Sequence, residues 1–146
     1  MAKVLIIGSG AREHTIAQTF QRSPQVDEVF VAPGNYGMKT DGISPVAIET
    51  NDFPALIKFA KDQQIDLTFV GNEAPLVAGV VDAFEAAGLA IFGPNQQAAK
   101  LEGSKAFMKK LLADANIPTA KAKTVTSLTD AKVVADEFGY PVVVKT

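Results

Sequence analysis

Lys3-Val4-Leu5-Ile6-Ile7-Gly8-Ser9-Gly10-Ala11-Arg12-Glu13-His14 is the stretch on which the reading of the fold turns. Lys3 to Ile7 is a short apolar, largely β-branched run without a polar face, the pattern of a central parallel strand covered on both sides. Gly8-Ser9-Gly10 breaks it. From Ala11 the spacing becomes helical, with Ile16, Ala17 and Phe20 on one face. A strand, a glycine turn and a helix N-terminus together make an anion site, because unpaired N–H groups and the positive end of the helix dipole face one point. Glycine also lets backbone N–H groups come close to a ligand. Arg12, Glu13 and His14 occupy the first helical turn.

Gly8-x-Gly10 opens like a dinucleotide fingerprint, yet the third glycine position holds Glu13. The second strand ends Val31-Ala32-Pro33-Gly34-Asn35, without the acidic residue that would take a ribose hydroxyl. Two of three dinucleotide signals are therefore missing. Arg12 suits a phosphate, since guanidinium is a planar bidentate donor. The cluster reads as a phosphate or sugar-phosphate site, against the plainer possibility of a packing turn followed by a solvated first turn.

Outward from this stretch, Ser23-Pro24 closes the helical region and Val26 to Ala32 gives a second strand. Pro33 to Lys39 reads as a loop; by itself Pro33-Gly34-Asn35 is an ordinary turn. Gly42 to Ile48 is a short third strand at best. Asn51 or Asp52 caps a helix with Pro54 in its first turn and Leu56, Ile57, Phe59 and Ala60 on its buried face. Ile65 to Val70 is the fourth strand. Pro75 fits the first position of a helix reaching about Ala87, with Gly88 as its stop. Glu73, at a strand end before that helix, serves either as a cap or as a ligand contact. Leu89 to Phe92 is the fifth strand. The alternation predicts an open parallel α/β sheet, Rossmann-like, with helices on both faces and right-handed crossovers. The first domain is expected over 1–102.

A second domain is expected over 103–146. Ser104 caps a helix from Lys105 to about Ala115, with Phe107, Met108, Leu111 and Leu112 inward. Ala122 to Thr126 alternates as an edge strand, Ser127 or Thr129 caps a helix to Phe138, and Pro141 to Lys145 is a buried strand. Some forty residues make a poor core alone, so this part reads as the opening of a longer domain.

Composition narrows the function. The 146 residues are 47% hydrophobic and 21% charged with a net charge of −2, which gives no pull toward nucleic acid or an anionic membrane surface. There is no cysteine, which excludes a thiolate metal site and a cysteine nucleophile. The start is too polar for a signal peptide and no stretch approaches a membrane span. The expected setting is cytoplasmic.

Gly8-Ser9-Gly10-Ala11-Arg12-Glu13-His14 resembles the glycine-x-glycine-x-arginine-glutamate-histidine signature of the phosphoribosylamine–glycine ligase (glycinamide ribonucleotide synthetase) family. Six further pieces resemble that family in order: Ala32-Pro33-Gly34-Asn35, Glu73-Ala74-Pro75-Leu76, Phe92-Gly93-Pro94, Ala98 to Phe107, Ile117 to Ala120, and Gly139 to Lys145. Asn72 stands where the family pattern has proline. The resemblance implies a pre-ATP-grasp domain followed by an incomplete ATP-grasp subdomain. The implied activity is ATP-dependent joining of 5-phosphoribosylamine and glycine through a glycyl phosphate, in purine biosynthesis. It implies a sugar-phosphate site from Gly8, Gly10, Arg12, Glu13, His14, Gly34, Asn35, Glu73 and Pro75, and ATP contacts from Lys105 and Lys145. Magnesium or manganese would bridge the phosphates, with ligands outside this chain. A monomer is expected, inactive in ligation as these 146 residues alone. The competing readings are a non-catalytic Rossmann-like module for a nucleotide or sugar phosphate, and another ATP-grasp ligase or carboxylase.

Overall fold

The computed structural model describes residues 1–145. They divide into two compact units, the first Met1–Gly103 and the second beginning at Ser104.

The first unit is built on five parallel strands: β1 (Ala2–Gly8), β2 (Val26–Pro33), β3 (Ser44–Pro45), β4 (Leu67–Val70) and β5 (Ile91–Phe92), in spatial order β3-β2-β1-β4-β5. The alternation of β-strand side chains sorts the core into two layers. Leu5 and Ile7 of β1 join Ala32 and Val70 on one face; Val4 and Ile6 join Val29 and Val31 on the other. Helix α1 (Ala11–Gln21) covers the second face through Ala17, with Ile16 and Phe20 alongside. The one-turn α2 (Tyr36–Thr40) adds buried Met38 there. Helices α3 (Phe53–Asp62), through Leu56 and Ala60, and α5 (Val80–Ala86), through Val80, Val81 and Phe84, cover the first face. Each such fully buried large side chain is worth roughly 1.5–3 kcal/mol relative to exposure. This is the open parallel sheet with helices on both faces that the sequence predicts.

Local differences have local causes. Residues 36–40 form α2 instead of loop, because the Asn35 side chain accepts from the Met38 N–H at 3.2 Å and Met38 is buried. The helix expected over 75–87 begins two residues earlier and is broken in two. Helix α4 (Glu73–Ala78) ends at Gly79, whose φ of 97° lies in the left-handed region, and α5 starts after it. Pro75 is thus the third residue of α4. Helix α6 (Gln96–Gly103) lacks a strong apolar stripe and goes unread in the sequence. Asn95 caps it by accepting from the Ala98 N–H at 2.9 Å, and Asp82 accepts from the Gln96 N–H at 2.7 Å.

In the second unit, α7 (Lys105–Asp114) is capped by Ser104 and α8 (Leu128–Phe138) by Ser127, as the sequence predicts. Phe107 and Leu111, expected to face inward, are exposed. Residues 122–126 and 141–145 form no strand among the described residues, and Val143 and Val144 are 84% and 82% exposed. A strand is defined by its neighbours' N–H and C=O groups, and among the described residues of this unit no backbone ladder supplies them.

Candidate functional site

The carboxyl ends of three strands meet around Gly8. The Gly34 N–H donates to the Gly8 carbonyl at 3.1 Å, and the Gly71 N–H, just past β4, donates to the Ile7 carbonyl at 3.0 Å. From β1 the chain winds to β2 and β3 on one side and then crosses to β4 and β5 on the other. The strand order therefore reverses between β1 and β4, and the crevice of an open α/β sheet lies at that reversal.

Glu13 fills it. The residue is only 3% exposed. Its Oε2 accepts the Gly10 N–H at 2.8 Å, the reach-back half of a capping box, with Gly10 at the N-cap of α1 and Glu13 at N3. A methyl group built on Gly71 would overlap Glu13 Cγ and lie 2.6 Å from Cδ; one built on Gly8 would lie 2.8 Å from Cδ. The sequence leads one to expect these glycines to open the backbone to a ligand. What comes close to the backbone is the protein's own carboxylate, placed where the helix dipole favours negative charge.

Arg12, one position earlier on α1, turns outward and its side chain is 60% exposed. Its Nε donates to Glu13 Oε1 at 3.0 Å, and its Nη2 stands 3.7 Å from Oε2 of Glu73, the first residue of α4. The hydrogen bond to Glu13 first, then the charges of Glu13 and Glu73, raise the Arg12 pKa above its ordinary value. The group is a permanent cation held in place by two carboxylates from different helices. Two carboxylates fix the plane of a guanidinium, and a fixed plane suits bidentate capture of a phosphate.

His14 faces a different neighbour. Its Nε2 lies 2.7 Å from Asp41 Oδ2, and Gln18 Nε2 donates to the same oxygen at 2.8 Å. These two bonds, Gln18's first, hold the Asp41 carboxyl below its usual range. Asn35 is committed on both sides: Nδ2 donates to the Ser9 carbonyl at 2.8 Å while Oδ1 caps α2. It ties the glycine loop to β2. Pro75 is fully buried. Asn72, the N-cap of α4, has a buried Oδ1 without a hydrogen-bond partner among the described residues.

Of the residues singled out in the sequence, Gly8, Gly10, Arg12, Glu13 and Glu73 share one cluster, with Gly34 and Asn35 bonded to its glycine loop. His14 is turned toward Asp41, and Pro75 is packed away. Sequence reasoning misses Asp41, Gln18 and Gly71, and reads Asn72 only as a departure from the family's proline. The glycine directly after a buried strand at Gly71 was a usable signal, and so was the three-residue spacing of Gly10 and Glu13.

Lys105 is the first residue of α7 and Lys145 follows the exposed valines; both are exposed. A cavity of about 250 Å³ in the second unit, between residues 123–126 and α8, is lined by neither. No group of three or more His, Asp or Glu among the described residues could hold a metal ion. No helix among them is long and apolar enough to cross a membrane.

Residues 2–102 match the family described as phosphoribosylglycinamide synthetase, N domain, and residues 103–146 match its ATP-grasp (A) domain. The chain is 54% identical to phosphoribosylamine–glycine ligase of Lactococcus lactis over 143 residues, which cover 98% of this chain and 35% of that protein. It is 56% identical to the ligase of the same name from Vibrio cholerae over 144 residues, covering 98% and 34%. The chain thus spans about a third of the length of the curated relatives it matches. Among solved structures, N5-carboxyaminoimidazole ribonucleotide synthetase from Thermotoga maritima matches 97% of the chain and 37% of its own, with TM-score 0.69 and 21% identity. Glycinamide-RNase-transformylase T from Mycobacterium tuberculosis matches 95% and 40%, with TM-score 0.67 and 25% identity.

Proposed function

The chain belongs to the phosphoribosylglycinamide synthetase family, and from that membership we propose that it is part of an ATP-dependent ligase joining 5-phosphoribosylamine to glycine. The products would be glycinamide ribonucleotide, ADP and phosphate, in purine biosynthesis. Residues 1–102 would serve as the substrate-binding N domain, and residues 103–146 would open the ATP-grasp domain. In this reaction the glycine carboxylate is activated as an acyl phosphate. The amine of phosphoribosylamine attacks its carbonyl carbon, the C–N bond forms and phosphate leaves. ATP, magnesium or manganese, and the metal ligands belong on this reading to protein beyond these residues, with Lys105 and Lys145 contributing to the nucleotide's phosphates. We place the enzyme in the cytoplasm, acting as a monomer.

What supports an N-terminal sugar-phosphate site is Arg12: a cation at the strand-order reversal, exposed on one side and fixed by Glu13 and Glu73 on the other. The Gly8 and Gly34 backbone and Glu73 would line the ribose side, with Asn35 holding the loops in register. The readings of a carboxylase subunit and of a binding module without catalysis are not favoured, because the relatives at 54% and 56% identity carry the ligase name.

Calorimetric titration with ribose 5-phosphate, a stable mimic of phosphoribosylamine, tests this. Binding should weaken roughly tenfold to a hundredfold in Arg12→Ala, the loss of a charge-assisted hydrogen bond of about 1.5–3 kcal/mol. Binding of NADH, unaffected by Arg12→Ala, would overturn the assignment.

A further inference from the structure

We propose that Glu13 sets the ligand class of the crevice between β1 and β4 by occupying it: its carboxylate is the anion of the glycine loop, so a substrate phosphate is held outside, at Arg12, and a diphosphate is refused.

In an open α/β sheet, a diphosphate bound at the reversal of strand order uses three things. It needs the N–H groups of the glycine turn, the positive end of the first helix, and an empty gap between the two strand ends. Here the Gly10 N–H, the start of the helix and the gap are already taken. The Gly10 N–H is bonded to Glu13 Oε2 at 2.8 Å. The first turn of α1 holds the Glu13 carboxylate itself, 3% exposed. The gap between Gly8 and Gly71 is closed by the side chain of Glu13, within 2.6–2.8 Å of where either residue's Cβ would stand. A phosphate entering this space would overlap the Glu13 side chain, so it can enter only if that side chain leaves. The other oxygen, Oε1, lies beside Gly71 and accepts the Arg12 Nε–H at 3.0 Å. One side chain thereby closes the inner anion position and builds the outer one. Glu13 is a positioning and specificity residue that need not touch substrate. The substrate phosphate at Arg12 rests on the proposed function; the refusal of a diphosphate rests on the packing of Glu13 alone.

Inorganic pyrophosphate is the probe, with the Gly10 amide followed by ¹⁵N NMR. In the wild-type chain pyrophosphate leaves the Gly10 amide unmoved; a saturable Gly10 shift would overturn the proposal outright, whatever the variants do. Glu13→Gln keeps the volume and one acceptor oxygen for the Gly10 N–H, so pyrophosphate should still be excluded. Glu13→Ala empties the crevice, and pyrophosphate should bind at least about tenfold tighter than to wild type, with a Gly10 shift. Equal pyrophosphate affinity in folded Glu13→Ala and wild type would overturn the proposal. So would a Glu13→Gln variant that binds as tightly as Glu13→Ala, because charge and not occupancy would then be the determinant.

Discussion

Gly71→Ala adds a single methyl group where β4 delivers the chain into the crevice, and the structure makes its cost calculable. The methyl would overlap Glu13 Cγ and lie 2.6 Å from Cδ. Gly71 is not in the left-handed region, so backbone strain contributes nothing. In open space the substitution would stabilise by about 0.4–1 kcal/mol through the unfolded chain. Two responses remain. If Glu13 swings out, its charge-assisted bond to the Gly10 N–H is lost, about 1.5–3 kcal/mol. If it stays, the site is overpacked at about 1–3 kcal/mol. Either way the first unit should lose about 2 kcal/mol. In a Glu13→Ala background the obstacle is gone, and Gly71→Ala should be neutral or mildly stabilising. The coupling energy of the double-mutant cycle should therefore be about 2 kcal/mol, near the top of the range for residues in contact. Hydrogen exchange of the β1 amides reports the first unit specifically, since those amides open only with the core. Additivity within about 0.5 kcal/mol would refute the packing argument.

Other consequences can be checked alongside. Thr68 is 1% exposed and its hydroxyl is buried without a partner among the described residues, so Thr68→Val should stabilise the first unit by about 1 kcal/mol in the same exchange measurement; destabilisation would mean the hydroxyl is satisfied. Asp41 has a lowered pKa through Gln18 and His14. The folded chain binds that proton more weakly than the unfolded one, so the stabilisation is present above the ordinary carboxylate range and lost as pH falls through and below it. Urea titrations from neutral to acid pH should show a shallower acid loss in Asp41→Asn, and an unchanged acid limb would contradict the assignment.

Most of the sheet was legible because parallel strands covered on both faces need apolar runs, and Val4–Ile7 and Val29–Val31 are such runs, with Leu67–Val70 interrupted only by Thr68. Caps at Asp52, Ser104 and Ser127 were legible for a similar reason: one side chain meets one helix end. Gly79 was not, since a left-handed glycine between two short helices has the same neighbours in sequence as a glycine inside one. Helix α6 was hidden by its composition, with Ala99 its only buried residue among Gln96–Gly103. The strands expected at 122–126 and 141–145 failed for another cause, because alternation and valine content describe a surface suited to a sheet but not the presence of one. At the site, the sequence located the glycine turn and the helix start, but not that Glu13 folds back into the turn. A polar residue in a first helical turn is normally solvated; only the contacts of Gly8 and Gly71 reveal that Glu13 is the occupant.

The strand order has a consequence for synthesis on the ribosome. Strand β1 leaves the tunnel before β2 and β4 and ends at the centre, with Val4 beside Val29 on one side and Leu67 on the other. At ~5–20 residues per second, roughly sixty residues separating Val4 from Leu67 leave one edge of the most apolar strand unpaired for about 3–12 s. For that interval the nascent chain presents Leu5, Ile6 and Ile7 beside an open ladder, an apolar edge of the kind chaperones cover.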